Sequence, residues 1–283
     1  MRRAAWTVGL GLSALAGVAL AQAYTFEVNR SQRELPGLRS PLRVVQLSDL
    51  HYGAYIGRES VRAWVDAALA LRPDVVLITG DFVDKRGVAP LEPLFGELAR
   101  LRAPLGVWGV WGNHDYAHFR RMAHREGRSP GAARDAFGAD LRRAGIRILR
   151  NEGVTLRDDL FLAGVDDLRG GGVNLGAALA HAPAGGAVLL MSHTPDLLPG
   201  VPGRVGLTLC GHTHGGQVCL PLVGPLVTSS RFGRRFASGF VRGPAPGFVS
   251  RGLGVTTLPF RLKCLPEVVV LDFVPGGGEG PQA

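Results

Sequence analysis

Five short polar inserts, each rich in Asp, Asn or His and each following an apolar run, constrain this 283-residue chain more than any other feature. They are Ser48-Asp49-Leu50-His51, Gly80-Asp81-Phe82-Val83-Asp84, Gly112-Asn113-His114-Asp115, Ser192-His193-Thr194 and Gly211-His212-Thr213-His214-Gly215-Gly216-Gln217. In open α/β sheets ligands bind beyond the carboxyl ends of the strands, so polar residues placed there converge on one crevice. Glycines flank three of the inserts and let the backbone turn sharply enough to bring side chains inward.

Between the inserts the pattern alternates. Residues 42–47, 75–78 and 105–110 are short, mostly apolar runs that predict strands. Residues 59–72 carry Val61, Val65, Ala68 and Leu69 at helical spacing, and Pro73 stops the helix. Residues 91–102 and 132–144 predict two more helices. Further strands are expected at 146–149, 154–156, 160–165, 187–191, 205–210, 248–249 and 268–273. Strands alternating with helices point to an α/β domain of layered sheets.

The ends read differently. After Arg2 and Arg3 the chain is uncharged from Ala4 to Phe26, close to the ~20 residues that cross a bilayer. This predicts an uncleaved signal anchor or a signal peptide cut near Ala19-Leu20-Ala21, with the anchor favoured. Basic residues lie on both sides of the stretch and leave the membrane face open. The expected organisation is an anchor or signal at 1–28, a linker at 29–41, the catalytic domain at 42–274 and a Gly-rich disordered tail at 275–283. The expected location is the cell membrane, through the N-terminal helix, or outside the cell.

The net charge of +9 favours anionic partners. A nucleic-acid binder would account for the charge and leave the inserts unexplained, so no nucleic-acid partner is expected. Three cysteines with no CxxC pair give neither a disulfide framework nor a structural zinc site. Cys210 reads as a small buried hydrophobe, and Trp64, Trp108 and Trp111 read as core.

The inserts carry the chemistry. Asp49 and His51 are two residues apart, and on an extended chain such side chains point the same way, so they can grip one ion together. His212 and His214 repeat the device with two imidazoles. Asp81 adds an anionic oxygen able to bridge two cations. An all nitrogen-and-oxygen donor set suits manganese, iron or zinc, with manganese preferred here.

The ordered series D-x-H, G-D-x-x-D, G-N-H-D, a lone His and G-H-T-H resembles the calcineurin-like metallophosphoesterase family over residues 42–273. The GHTHGGQ form, the N-terminal apolar stretch and Arg251-Gly252-Leu253-Gly254 resemble a bacterial branch of membrane-associated or exported phosphodiesterases. The resemblance implies a four-layer α-β-β-α sandwich and two divalent metal ions. Asp49, His51, Asp81 and His214 would hold the first ion. Asp81, Asn113, His193 and His212 would hold the second, with Asp81 bridging. His114 would be the catalytic imidazole and general acid, steadied by Asp84 or by Asp115. The expected reaction is hydrolysis of a phosphodiester or pyrophosphate by metal-activated hydroxide, with lipid-linked anionic esters among the candidate substrates. The alternatives are a phosphomonoesterase or protein phosphatase of the same fold, or an inert scaffold.

Three other features each carry two readings. The basic cluster of His118, Arg120, Arg121, His124, Arg125 and Arg128 either caps an anionic substrate or forms a solvated loop. Lys85 and Arg86 are candidate phosphate contacts. Arg231, Arg234 and Arg235, interleaved with Phe232 and Phe236, suit either a lipid headgroup surface or a partly exposed loop.

Overall fold

The computed structural model describes residues 16–87 and 89–276. The first of two six-stranded sheets has the order β1–β14–β2–β3–β4–β5. Its strands are β1 (Glu27–Leu35), β2 (Leu42–Leu47), β3 (Val75–Ile78), β4 (Val107–Gly109), β5 (Ile146–Ile148) and β14 (Glu267–Pro275). The second has the order β12–β13–β9–β8–β7–β6. It is built from β6 (Glu152–Arg157), β7 (Leu160–Gly164), β8 (Ala187–Met191), β9 (Leu207–Cys210), β12 (Gly239–Val241) and β13 (Gly247–Val249). In each sheet four neighbouring strands run parallel: β2 to β5 in one, β7, β8, β9 and β13 in the other. A short hairpin of β10 (Cys219–Leu220) and β11 (Gly224–Pro225) stands apart from both.

The parallel strands are buried on both faces, which is why they read as unbroken apolar runs. Val44, Val75 and Leu77 from the first sheet meet Leu162, Leu189 and Leu209 from the second in one shared core. Each such side chain contributes roughly 1.5–3 kcal/mol on burial.

The other face of the first sheet is covered by α1 (Arg58–Ala70), α2 (Glu92–Leu98), α3 (Asn113–Glu126) and α4 (Pro130–Arg143). Helix α1 turns Val61, Trp64, Val65 and Ala68 inward, the i, i+3, i+4, i+7 stripe of a helix on a sheet. Helix α4 starts at Ser129, whose hydroxyl accepts from the Ala132 N–H. The outer face of the second sheet has a thinner cover: the four-residue α5 (Leu175–Ala178) and a 3₁₀ turn at Pro195–Gly200. The fourth layer of the expected sandwich is therefore reduced to short segments.

Four expectations need correction or restriction. Most of the expected linker forms β1, which pairs in parallel with β14 through nine residues on each strand. Its side chains are largely exposed, so backbone hydrogen bonds hold it and no apolar alternation announces it. The basic cluster after Asn113 is helical from His118 to Arg125, with His118 and Phe119 buried on the sheet side of α3 and Arg128 just past its end. Of the N-terminal apolar stretch, residues 16–23 are helical and 1–15 lie outside the described residues. Among the described residues no helix is long and apolar enough to cross a membrane. The expected tail begins where β14 ends at Pro275, and residues 277–283 also lie outside the description.

Candidate metal centre

All five inserts sit at carboxyl ends of parallel strands, three in the first sheet after β2, β3 and β4, two in the second after β8 and β9. Backbone hydrogen bonds stitch them together. Asp49 N–H donates to Gly80 O, His51 N–H to Asp81 O, and Gly211 N–H to His193 O, all at 2.9–3.0 Å. The stretch after β13 closes the ring, with Leu253 N–H donating to Ser48 O and Gly254 N–H to Asp49 O. This is how Arg251-Gly252-Leu253-Gly254 supports the site.

The loops are strained where the chemistry is. Asp49, His51, Asp81, His212 and His214 all have φ between 48° and 75°, a region non-glycine residues rarely occupy. Such conformations cost about 1–3 kcal/mol each and cluster at functional sites. Gly112 answers a separate need. A Cβ there would collide with the Asp81 carboxylate and backbone.

The seven side chains expected as ligands lie together; six are buried and Asn113 is half-buried. His51 Nε2 is 2.9 Å from His214 Nε2, and His214 Nε2 is 3.3 Å from Asp49 Oδ1. On the other side His193 Nε2 is 3.2 Å from Asn113 Oδ1 and 3.2 Å from His212 Nδ1. Asp81 Oδ2 stands between the two groups, 3.5 Å from His51 Nε2 and 3.2 Å from His193 Nε2. Two imidazole nitrogens facing each other at 2.9 Å need a proton or a cation between them.

The protonation states suit a cation. Burial holds His51 and His214 well below the usual imidazole range and His212 at about 3, so all three present lone pairs. Burial alone would raise Asp81, but His193, His114 and His51 outweigh it and keep it well below the carboxylate range. Burial would likewise lower His193, yet the charges of Asp81, Asp49 and Asp167 lift it to about 10. Its proton balances Asp81, and a cation arriving there would displace it. The His193 ring is already aimed, because Nδ1 donates to the Thr79 carbonyl at 2.8 Å. Three sets of ligand atoms lie within 4.8 Å of one another: Asp49–His51–His214, His51–Asp81–His114 and Asp49–Asp81–His193. Neutral imidazoles with carboxylate and amide oxygens form a donor set for divalent transition metals, so the residues fit the implied ions.

The hydrogen bonds of Asp84 and Asp115, the expected partners of His114, run to backbone amides. The Asp84 carboxylate accepts from Arg86 N–H. The Asp115 carboxylate accepts from the N–H groups of Asp81, Val83 and Gly112, tying the second and third inserts together. Neither hydrogen-bonds to His114. Its Nδ1 instead accepts from Lys85 N–H at 3.4 Å, its own N–H donates to Asp81 Oδ1, and its ring stacks edge-on against His51 at 4.5 Å.

A cavity of about 230 Å³ opens over the centre, lined by Asp81, Asn113, His114, His212 and His214 together with Lys85, Arg169, Ser229, Thr256 and Thr257. Lys85 lines the cavity as one of the two expected phosphate contacts, while Arg86 is outside the lining and donates to Thr257 O and the Tyr55 hydroxyl. Sequence reasoning missed Arg169, an ordinary residue of a polar turn. It also missed Arg261, which is completely buried behind His214. Arg261 donates to the carbonyls of Arg251, Gly254 and Cys264 and approaches His214 Nδ1 to 3.2 Å. Burial lowers its pKa to about 10, which still leaves it charged.

An acidic bridge between two nests of imidazole, at strand ends in a two-sheet sandwich, defines a metal-dependent phosphoesterase. The chain belongs to the calcineurin-like phosphoesterase family, whose model matches residues 42–216. It is 30% identical over 241 residues to the uncharacterized metallophosphoesterase YkuE of Bacillus subtilis, covering 81% of this chain and 77% of that one. It is 28% identical to the phosphodiesterase YaeI of Escherichia coli, covering 83% of each. It is also 28% identical to the UDP-2,3-diacylglucosamine pyrophosphatase LpxG of Chlamydia trachomatis, covering 64% of this chain and 65% of that one.

Proposed function

We propose that this enzyme hydrolyses a phosphodiester or a pyrophosphate, in a substrate class that includes lipid-linked esters, with two divalent ions, manganese preferred. The observation that carries the reading is Asp81 Oδ2, an ionised oxygen standing between His51 and His193. The phosphodiesterase and pyrophosphatase named among the relatives support the diester class. When bound, the two ions would neutralise the phosphate and activate a water for in-line attack.

The chain's own groups divide the remaining work. Asp49, His51, Asp81 and His214 would hold one ion, and Asp81, Asn113, His193 and His212 the other. Lys85 and Arg169 in the cavity wall meet the negative phosphate oxygens. His114 Nδ1 accepts the Lys85 N–H, so the neutral ring carries its proton on Nε2. As the neutral ring it gives the leaving oxygen a hydrogen bond from Nε2, and once it has taken a second proton from solvent it transfers one proton there and returns to neutral imidazole. Asp115 positions the second and third inserts and takes no part in proton transfer.

A substrate panel tests the reading: bis-p-nitrophenyl phosphate, p-nitrophenyl phosphate and a UDP-sugar pyrophosphate, each with added manganese. Turnover of the diester or the pyrophosphate is expected to exceed that of the monoester. Hydrolysis of the monoester alone would sink the diesterase assignment.

A further inference from the structure

The last metal-binding insert does not end at the centre. Directly beyond Gln217 the chain leaves the body as the β10–β11 hairpin and returns at Ser229, in the cavity wall. The hairpin carries Leu220, Leu222 and Val223, and Leu226 and Val227 follow it directly, all exposed. Leu222 at its tip is fully exposed and held at a φ of 63°, and Val227 is 74% exposed. Single exposed apolar residues need no explanation, but five on and directly after one hairpin mark an interaction surface.

Charge says what covers it. From Leu197 to Pro266 the sequence contains neither Asp nor Glu, while Arg231, Arg234, Arg235, Arg242 and Lys263 fall within it. Arg231, Arg234 and Arg235 are exposed on the turn that follows the hairpin. The base of the hairpin is also joined to the N-terminal helical segment. Val218 bridges Leu262 and Cys219 N–H donates to Leu262 O. On either side of Leu262, Arg261 N–H donates to Ala19 O and Lys263 N–H to Gln22 Oε1. Val18 and Leu20 of that segment are exposed too.

We propose that the hairpin docks on a bilayer of anionic phospholipid, its leucines and valines entering the acyl boundary and the arginines beside it pairing with headgroup phosphates. Apolar side chains rimmed by exposed cations, with the nearest acid, Asp196, buried against Ser230 and the Arg231 N–H, form the pattern of an interfacial anchor. Because the hairpin joins two walls of the cavity, docking sets the cavity mouth beside the lipid surface. The inference does not rest on the catalytic assignment.

The test uses the full chain carrying Leu222→Trp, with the unsubstituted chain as reference for its own tryptophans. Vesicles of phosphatidylglycerol mixed with phosphatidylcholine should move the added tryptophan's emission to shorter wavelength, and brominated lipid should quench it. Vesicles of phosphatidylcholine alone should do so weakly. Adding Arg231→Glu and Arg234→Glu should weaken vesicle binding at least about tenfold, since each cation near such a surface contributes about a factor of five. No emission difference between the variant and the reference with anionic vesicles would overturn the proposal. So would a shift without vesicles that grows with protein concentration, which would assign the hairpin to a second copy of the chain.

Discussion

His193 Nδ1 donates to the Thr79 carbonyl at 2.8 Å and thereby turns Nε2 toward Asp81 Oδ2 at 3.2 Å. Thr79 is itself pinned in β3's continuation, where its hydroxyl accepts from Gln46 and donates to Ser48. One backbone oxygen of the first sheet thus orients a ligand supplied by the second. If Asp81 bridges and His193 serves one ion only, the two positions should separate on mutation. Asp81→Ala is expected to lose both ions and all measurable activity. His193→Ala is expected to retain about one ion per chain. Metal analysis of the purified variants gives the answer, and equal losses in both would refute the bridging geometry.

His114 is close enough to His51 and Asp81 to be counted with the ligand atoms, yet its Nδ1 is engaged by Lys85 N–H. A proton donor and a ligand respond differently to removal. His114→Ala should keep the metal content of the parent and lower kcat by about 10²–10⁴, the usual contribution of a positioned acid. Loss of an ion in this variant would make His114 a ligand instead.

Gly112 tests how tightly the loops are nested. A methyl group at this position would meet the Asp81 carboxylate and its backbone N–H. Gly112 also donates to Asp115, which holds the second insert in place. Gly112→Ala should therefore weaken metal loading by about 10–100-fold, in the range for groups that orient ligands. Titration of the metal-free protein with manganese, followed by isothermal calorimetry, measures it. Affinity equal to the parent's would mean that the loop yields without cost.

The inserts could be read from sequence because metal chemistry restricts residue type and spacing at once. The buried strands could be read because Val75–Ile78 and Ala187–Met191 are apolar throughout, as parallel strands buried on both faces must be. β1 could not, since Glu27–Leu35 is held by backbone pairing and its side chains face water. Helix α3 was hidden for another reason. It begins inside the third insert, and its sheet-facing stripe includes Asp115 and His118, which no hydrophobic pattern detects. Arg169 and Arg261 reach the centre only through tertiary packing, and nothing near them in the chain marks them. Sequence adjacency says little about Asp115, a carboxylate next to His114 in the chain that points away to three backbone amides in space.

Away from the centre, Glu97 supplies a test of stability. It is buried on α2 and accepts from Arg58 at 2.7 Å and Arg62 at 3.2 Å, both on α1, and from Arg100 at 2.9 Å. Burial alone would raise its pKa, but Arg100, Arg58 and Arg62 outweigh that and lower it from 4.5 to about 2. A depressed carboxylate binds fewer protons folded than unfolded, so its contribution is fully present above about pH 4.5 and is lost as pH falls toward 2. Glu97→Gln keeps the shape and removes the charge. It should cost about 1–3 kcal/mol near neutral pH, a fall in Tm of several degrees at this chain length. The gap between parent and variant should narrow steadily between pH 5 and about pH 3. Thermal unfolding across that range checks the sign, and a gap that stays constant or widens on acidification would show that the charge of Glu97 is not what joins α1 to α2.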